Sequence, residues 1–262
     1  MEPVWYLGTM GYSYAQWQGV FYPDGLASRY YLPYYAERFG AVEMDSTFYG
    51  TPPLDRVVRW GQMVPEGFQI CPKVPRVFTH ELDLEVTTAD ILAFVERMQC
   101  LGDNLGAVLL QFPPSFDASQ RPKLAHLLRQ LPAEVRFAVE FRHRSWEGEE
   151  TAVLLAKHNI CWCATDYIHL EKRIHRTTDF LYLRFIGPHG QFATKDRELI
   201  DKTDDLVAWW QQIVPMQQDI KRIYGFFNND YAGYSPATCN RFKRIVGLPE
   251  SSIQIWQQAR LF

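Results

Sequence analysis

The chain has 262 residues, of which 47% are hydrophobic and 22% charged, with a formal net charge of -3. This composition excludes a disordered chain, a collagen and a disulfide miniprotein, and the length permits burial of roughly three quarters of the unfolded surface. The acidic balance excludes the broad basic field that drives non-specific nucleic-acid binding, though not a local basic pocket.

The residues from Glu2 to Trp5 carry no basic leader and no long apolar run, and no stretch reaches the ~20 apolar residues of a membrane helix. Five scattered cysteines without such a leader point to a reducing compartment, so the expected location is the cytoplasm.

Val4–Gly8 opens the chain as a strand, followed by a Gly- and aromatic-rich loop to Pro23. Residues 29–39 carry rings and aliphatics at helical spacing. A second strand spans 41–45, a helix 54–63 follows Pro52-Pro53, and a third strand spans 68–73. Thr88 is the expected N-cap of a helix running to Leu101 and closed by Gly102. The next strand, 105–111, stops at Pro113-Pro114. Helices are then expected over 119–131 and 145–158, with strands at 136–141 and 160–165. The charged stretch 167–179 reads as irregular. A strand at 180–186, a long helix at 196–213, a strand at 222–227 and a helix at 235–246 complete the series.

Short strands alternating with helices predict a parallel sheet with helices outside it. Eight such units in this length fit a TIM-like (β/α)8 barrel, irregular in its later units, as one domain over residues 1–262. Neither a G-x-G-x-x-G fingerprint nor a Walker A loop is present.

In a barrel the chemistry lies at the C-terminal strand ends. Those ends carry Glu43 and Asp45, Lys73, Gln111, Glu140 and Arg142, Asp166, Arg184, then Asn228 and Asn229. Buried charges must pair with one another or with a ligand. Lys73, Arg142 and Arg184 suit a phosphate or carboxylate. Glu140, Glu43, Asp45 and Asp166 are the candidate acids and bases. Gln111, Asn228 and Asn229 suit hydroxyl groups. Tyr12, Trp17, Tyr49 and Trp146, with Phe48 and Tyr231, follow strand ends and suit stacking on a ring. The plainer alternative is a polar plug, in which these charges only satisfy each other. Strand ends are poor in histidine, which disfavours zinc; no cofactor is expected, although the four carboxylates leave Mg²⁺ or Mn²⁺ open.

Several phrases resemble the YecE-like family (domain of unknown function 72). They are Gly8-Thr9-Met10-Gly11-Tyr12-Ser13-Tyr14, Trp17-x-Gly19-x-Phe21-Tyr22-Pro23, Val42 to Tyr49, and Lys73 with Thr79-His80. Leu109 to Phe116, Ala138 to Arg142 with Ser145-Trp146, and Phe227-Asn228-Asn229 with Gly233 continue the match in order. The resemblance implies a TIM-like barrel and no known reaction. Asp45 stands where the family pattern has Asn, and Ile186 where it has His.

The expected function is an enzyme acting on an anionic, ring-containing molecule, such as a sugar phosphate, nucleotide or nucleic-acid fragment, in a strand-end pocket. Hydrolase, lyase and isomerase chemistry all fit. The alternative is a non-catalytic nucleotide or nucleic-acid binding module using the same pocket. No membrane partner is expected, and the oligomeric state is left open.

Overall fold

The computed structural model describes residues 2–81 and 83–253. The strands among them are β1 (Val4–Met10), β2 (Ala41–Met44), β3 (Gln69–Pro72), β4 (Val108–Gln111), β5 (Phe137–Glu140), β6 (Cys161–Trp162), β7 (Ala164–Asp166), β8 (Phe180–Phe185) and β9 (Arg222–Phe227). The helices are α1 (Tyr31–Ala36), α2 (Leu54–Met63), α3 (Leu84–Gln99), α4 (Arg121–Leu128), α5 (Glu149–Lys157), α6 (Thr203–Ile213), α7 (Asn229–Ala232) and α8 (Ser235–Ile245).

The strands form two parallel sheets, one of six strands in the order β3-β2-β1-β9-β8-β7 and one of three in the order β4-β5-β6. Two isolated bridges, Ile70 to Leu105 and Lys73 to Leu109, join β3 to the start and middle of the β4 segment. There the Val74 amide donates to the Leu109 carbonyl and Gly106 to Ile70, each at 2.9 Å. At the other side only Cys163 separates β6 from β7, and its amide donates to the Val139 carbonyl at 2.9 Å.

Both faces of the strands are buried, as continuous apolar runs in parallel sheets require. Leu7, Val42, Ile70, Leu110, Val139, Leu183 and Phe227 pack outward against helix residues such as Tyr35, Val57, Ile91, Leu124 and Phe242. The alternate residues form a second cluster that contains no helix residue. Met10, Ala41, Cys71, Leu109, Ala138, Cys161, Tyr182 and Tyr224 belong to it, drawn from both sheets. Period two therefore sorts every strand into a helix-facing set and an inner set.

Several sequence expectations shift. The helix expected to start at Thr88 begins at Leu84, because the Asp83 carboxylate accepts from the Glu85 amide at 2.9 Å and caps it one turn earlier. The long helix expected from Asp196 starts only at Thr203, whose amide and hydroxyl donate to Asp201 at 2.8 and 2.6 Å. Residues before it are held instead by the Leu199 amide on the Ala232 carbonyl at 2.7 Å. The expected strand 160–165 is split at Cys163, so nine strands replace eight among the described residues. The expected irregular stretch 167–179 contains no helix or strand. Residues 1, 82 and 254–262 of the expected domain lie outside the described residues.

Candidate functional site

The inner residues become charged at the C-terminal edge of the sheets. Arg184, two residues beyond Tyr182 on β8, is 4% exposed and sits at the centre. Its Nε and Nη2 donate to the two oxygens of Glu43 at 2.9 and 2.7 Å, a bidentate pairing across from β2. Its Nη1 donates to Glu140, from β5 in the other sheet. Tyr182 adds its hydroxyl to Glu43 at 2.8 Å. Arg142 completes the group with a close ion contact to Glu140. Two guanidinium groups thus meet two carboxylates, and the inner charges cancel.

The electrostatic consequences follow. Burial pushes Glu140 up, yet Arg142, Arg184 and Lys73 outweigh it and hold its carboxyl below the usual range. Burial opposes the charge on Arg184, but Glu140 and Glu43 raise its pKa well above the ordinary arginine value. Burial, reinforced by Glu43, keeps the Tyr182 phenol neutral.

Outside this balanced group lie two residues it does not consume. Lys73, 6% exposed, follows β3, and among the described residues no carboxylate lies within ion-pair distance of its Nζ. The ammonium instead sits 3.6 Å from the centre of the Phe48 ring. Burial lowers its pKa, and Arg184 adds to the effect; Asp45, Glu43 and Glu140 oppose it, leaving about 8. Asp45, half-buried at the start of the turn after β2, is pushed up to about 7 by burial, then by the Glu43 charge and a hydrogen bond shared with Glu43.

His80 borders Lys73 and Phe48. Its ring lies edge-on to Phe48 at 5.2 Å, its Nδ1 meets Thr79 Oγ1 at 2.8 Å and its Nε2 approaches the Gln111 amide at 3.3 Å. Burial, with Lys73, Arg76 and Arg142, lowers its pKa to about 4, so the ring is neutral near pH 7. A groove of about 190 Å³ opens beside it, lined by Thr79, His80, Ser115, Phe116, Gln120 and Lys123 among others. Two larger cavities, about 580 Å³ each, lie away from the charged group. One is against α8 and the other is at the N-terminal edge of the sheets by Tyr6, Gln69 and Arg136.

Of the residues expected at the site, Glu43, Asp45, Lys73, Gln111, Glu140, Arg142 and Arg184 come together. Asp166 does not join them. It is paired with Phe185 in the register and shares its outward face, where Asp166 accepts from Trp209 Nε1 at 2.9 Å and Tyr231 at 2.8 Å and pairs with Lys172 at 2.8 Å. The Mg²⁺ or Mn²⁺ set of Glu43, Asp45, Glu140 and Asp166 is therefore not assembled. Among the described residues no group of three or more His, Cys, Asp or Glu is placed to hold a metal ion.

Asn228 caps α7 by accepting from the Asp230 amide at 2.8 Å, and Asn229 is buried beneath α8, accepting from the Ser235 amide and hydroxyl at 3.0 and 2.9 Å. Both side-chain oxygens serve as caps after β9, and among the described residues the buried Asn229 Nδ2 has no hydrogen-bond partner. Trp17 and Trp146 are buried, packed on Tyr14 and Phe141 respectively. Tyr12 is half-buried against Tyr35, and only Tyr49 of these four rings is exposed, at 84%. Tyr182 and His80 were not among the expected site residues. Tyr182 is legible from parity with Arg184; His80 stands in the phrase Lys73 with Thr79-His80, but its place beside Phe48 depends on the turn after β3.

A parallel α/β sheet system with a charged group gathered at the C-terminal strand edge is the arrangement from which α/β enzymes and ligand-binding proteins are built. The model for "Protein of unknown function DUF72" matches residues 6–260, and the chain belongs to that family. The chain is similar to the UPF0759 protein YecE of Escherichia coli K12, with 32% identity over 151 residues, 57% of this chain and 53% of that protein. That match spans about half the length of the relative. UPF0759 protein YunF of Bacillus subtilis is 25% identical over 243 residues, covering 81% of this chain and 85% of that one. Among solved structures, a DUF72 family protein from Thermotoga maritima matches with a TM-score of 0.75 at 28% identity, covering 93% of this chain and 99% of the other. One from Enterococcus faecalis matches in fold with a TM-score of 0.73 at 21% identity, covering 96% and 98%. Among the described residues no helix is long and apolar enough to cross a membrane.

Proposed function

We propose that the two sheets close into one (β/α)8 barrel and that its mouth is the active site of an enzyme acting on an anionic, ring-containing small molecule. Sugar phosphates and nucleotides are the substrate class, with a nucleic-acid end as its larger form. The carrying observation is the division of labour among the charges. Arg184 and Arg142 pair with Glu43 and Glu140 and hold that group together, while Lys73 and Asp45 are left beside them uncommitted to a partner of opposite charge. Asp45, pushed up to about 7, is suited to give or take a proton at neutral pH. Arg142, in ion contact with Glu140 and with its guanidinium 4.4 Å from the Tyr167 ring centre, is the anion contact.

The test is a thermal-shift titration with ribose 5-phosphate, AMP, inorganic phosphate and a short single-stranded DNA. A bound anion stabilises the native state by ~3 kcal/mol at a hundredfold excess over its dissociation constant. The expected result is a rise in Tm with at least one phosphorylated sugar, lost in Arg142→Ala. No shift with any of the four overturns the reading. Binding without turnover in a product screen, unaffected by Asp45→Asn, favours the non-catalytic binding module over the enzyme.

A further inference from the structure

The group that the ionic balance leaves most exposed to explanation is Lys73. A lysine buried to this degree normally meets a carboxylate, because an unpaired ammonium away from water is costly. Here the neighbouring carboxylates Glu43 and Glu140 are bound to arginines, and the Lys73 Nζ rests on the face of Phe48 at 3.6 Å. The backbone beneath it is fixed on both sides. Thr47 Oγ1 donates to the Lys73 carbonyl at 2.7 Å and accepts from the Lys73 amide at 2.9 Å. The Lys73–Leu109 bridge holds the other edge. The side chain is thus delivered to one place, at the end of an inner strand position, next to a cation and clear of a neutralising partner.

Resting on the enzyme reading above, we propose that Lys73 is a covalent catalyst whose amine forms an imine with the carbonyl carbon of an open-chain sugar phosphate. Burial and the nearby Arg184 charge both favour the neutral amine, the nucleophilic form. Asp45 opens the turn after β2 two residues before Thr47, whose hydroxyl bonds the Lys73 backbone, and it is the carboxyl whose charge acts most strongly on Lys73; it supplies the protons.

The Lys73 nitrogen forms a bond to the carbonyl carbon, and the C=O π pair moves to oxygen, which takes the Asp45 proton. Asp45 recovers a proton from the nitrogen, giving the carbinolamine. It then returns that proton to the hydroxyl, which leaves as water while the nitrogen lone pair forms C=N. One water is released, Asp45 ends as carboxylate, and the imine nitrogen is protonated. No oxidant or reductant is needed. The cationic imine withdraws electrons from the adjacent carbon, the requirement for isomerase or lyase chemistry on a sugar. His80, neutral and edge-on to the Phe48 ring on which Lys73 rests, also lines the groove.

The experiment incubates the full-length protein with ribose 5-phosphate or glyceraldehyde 3-phosphate, reduces with borohydride, and locates the adducts by peptide mass spectrometry. The chain has eight lysines, so the other seven are the internal reference. The expected result is an adduct on Lys73 in at least about tenfold excess over any other lysine, with its formation slowed by about 10²-fold in Asp45→Asn. Adducts confined to other lysines overturn the proposal. No Lys73 adduct while ribose 5-phosphate still raises Tm also overturns it, and leaves the anion-binding reading standing. Neither adduct nor shift overturns both. Mapping is done on the wild-type chain, so the outcome does not depend on a Lys73 variant folding.

Discussion

Arg184 is the residue on which the charged mouth depends. It holds two carboxylates from different strands at once, and each carboxylate is buried. Removing it leaves Glu43 and Glu140 short of their shared partner in a place from which water is excluded. Arg184→Met is expected to cost about 3–5 kcal/mol, read from urea unfolding. Arg184→Lys is expected to recover little, since a single ammonium cannot reproduce a fork bonded to two carboxylates. A loss under ~1 kcal/mol in Arg184→Met would mean that the ion web contributes little to the fold.

Asp45 makes a second prediction at this scale, on pH. Its pKa is raised from an ordinary 3.8 to about 7, so the folded state keeps a proton that the unfolded chain has already lost. The stabilisation is complete below the unfolded pKa and disappears as pH rises through 7, by no more than about 4 kcal/mol in total. Asp45→Asn is neutral throughout. Between pH 5 and pH 8, wild-type stability is expected to fall relative to that variant. Equal slopes for the two chains would show that the carboxyl titrates normally. Lys73 runs the other way: its pKa is lowered from 10.5 to about 8, so the penalty of its burial is full below pH 8 and is relieved as pH rises from about 8 to 10.5.

At the scale of elements, the turn after β2 and the end of β3 are joined by one hydroxyl. Thr47 Oγ1 lies 2.7 Å from both the Met44 and the Lys73 carbonyl oxygens, which share its one hydrogen, and it accepts from the Lys73 amide, all buried. Thr47→Val keeps the shape and removes the acceptor, leaving a buried amide without a partner. The expected cost is about 1–3 kcal/mol in urea unfolding, with a fall in any Lys73 adduct yield, because the lysine loses its anchor.

Elements of this kind decide what the sequence could disclose. The alternation of apolar runs located each strand within a few residues, since burial on both faces leaves a dense hydrophobic signal. Start points of helices depended on which side chain won a cap, and Asp83 preceded Thr88 by one turn. For the site, residues two apart on one strand, such as Glu140 with Arg142, could be read as neighbours. Asp166 could not be placed, because its facing depends on the pairing of Thr165 with Arg184 across two strands. Register is a property of the pair and is not written in either strand alone. Trp17 and Trp146 follow strand ends on loops, yet both rings are buried, because large rings next to an apolar layer gain more from packing into it.

For the whole molecule, the question is whether the two sheets behave as one closed body. The inner apolar cluster takes residues from both, and Arg184 on β8 ties Glu140 of β5 to Glu43 of β2. Among the described residues, the Gly106 and Val74 amides bond across from one sheet to the other on one side, while on the other side the chain itself runs from β6 to β7 through Cys163, whose amide bonds Val139 of β5. A sheet edge left open in this way would be expected to fray, exposing unpaired amides to water. A closed barrel has no edge, so these three amides would exchange their protons only when the whole domain unfolds. Hydrogen exchange under native conditions separates the cases. Closure predicts that Gly106, Val74 and Cys163 are protected to within about tenfold of sheet-interior amides such as Val139 and Tyr224, and that all fall together as urea is added. If the sheets were separate units, the crossing amides would exchange through a local opening, faster by orders of magnitude and insensitive to denaturant. In that case the charged mouth, which draws on both sheets, would open with them, and Arg184→Met would loosen the same three amides first.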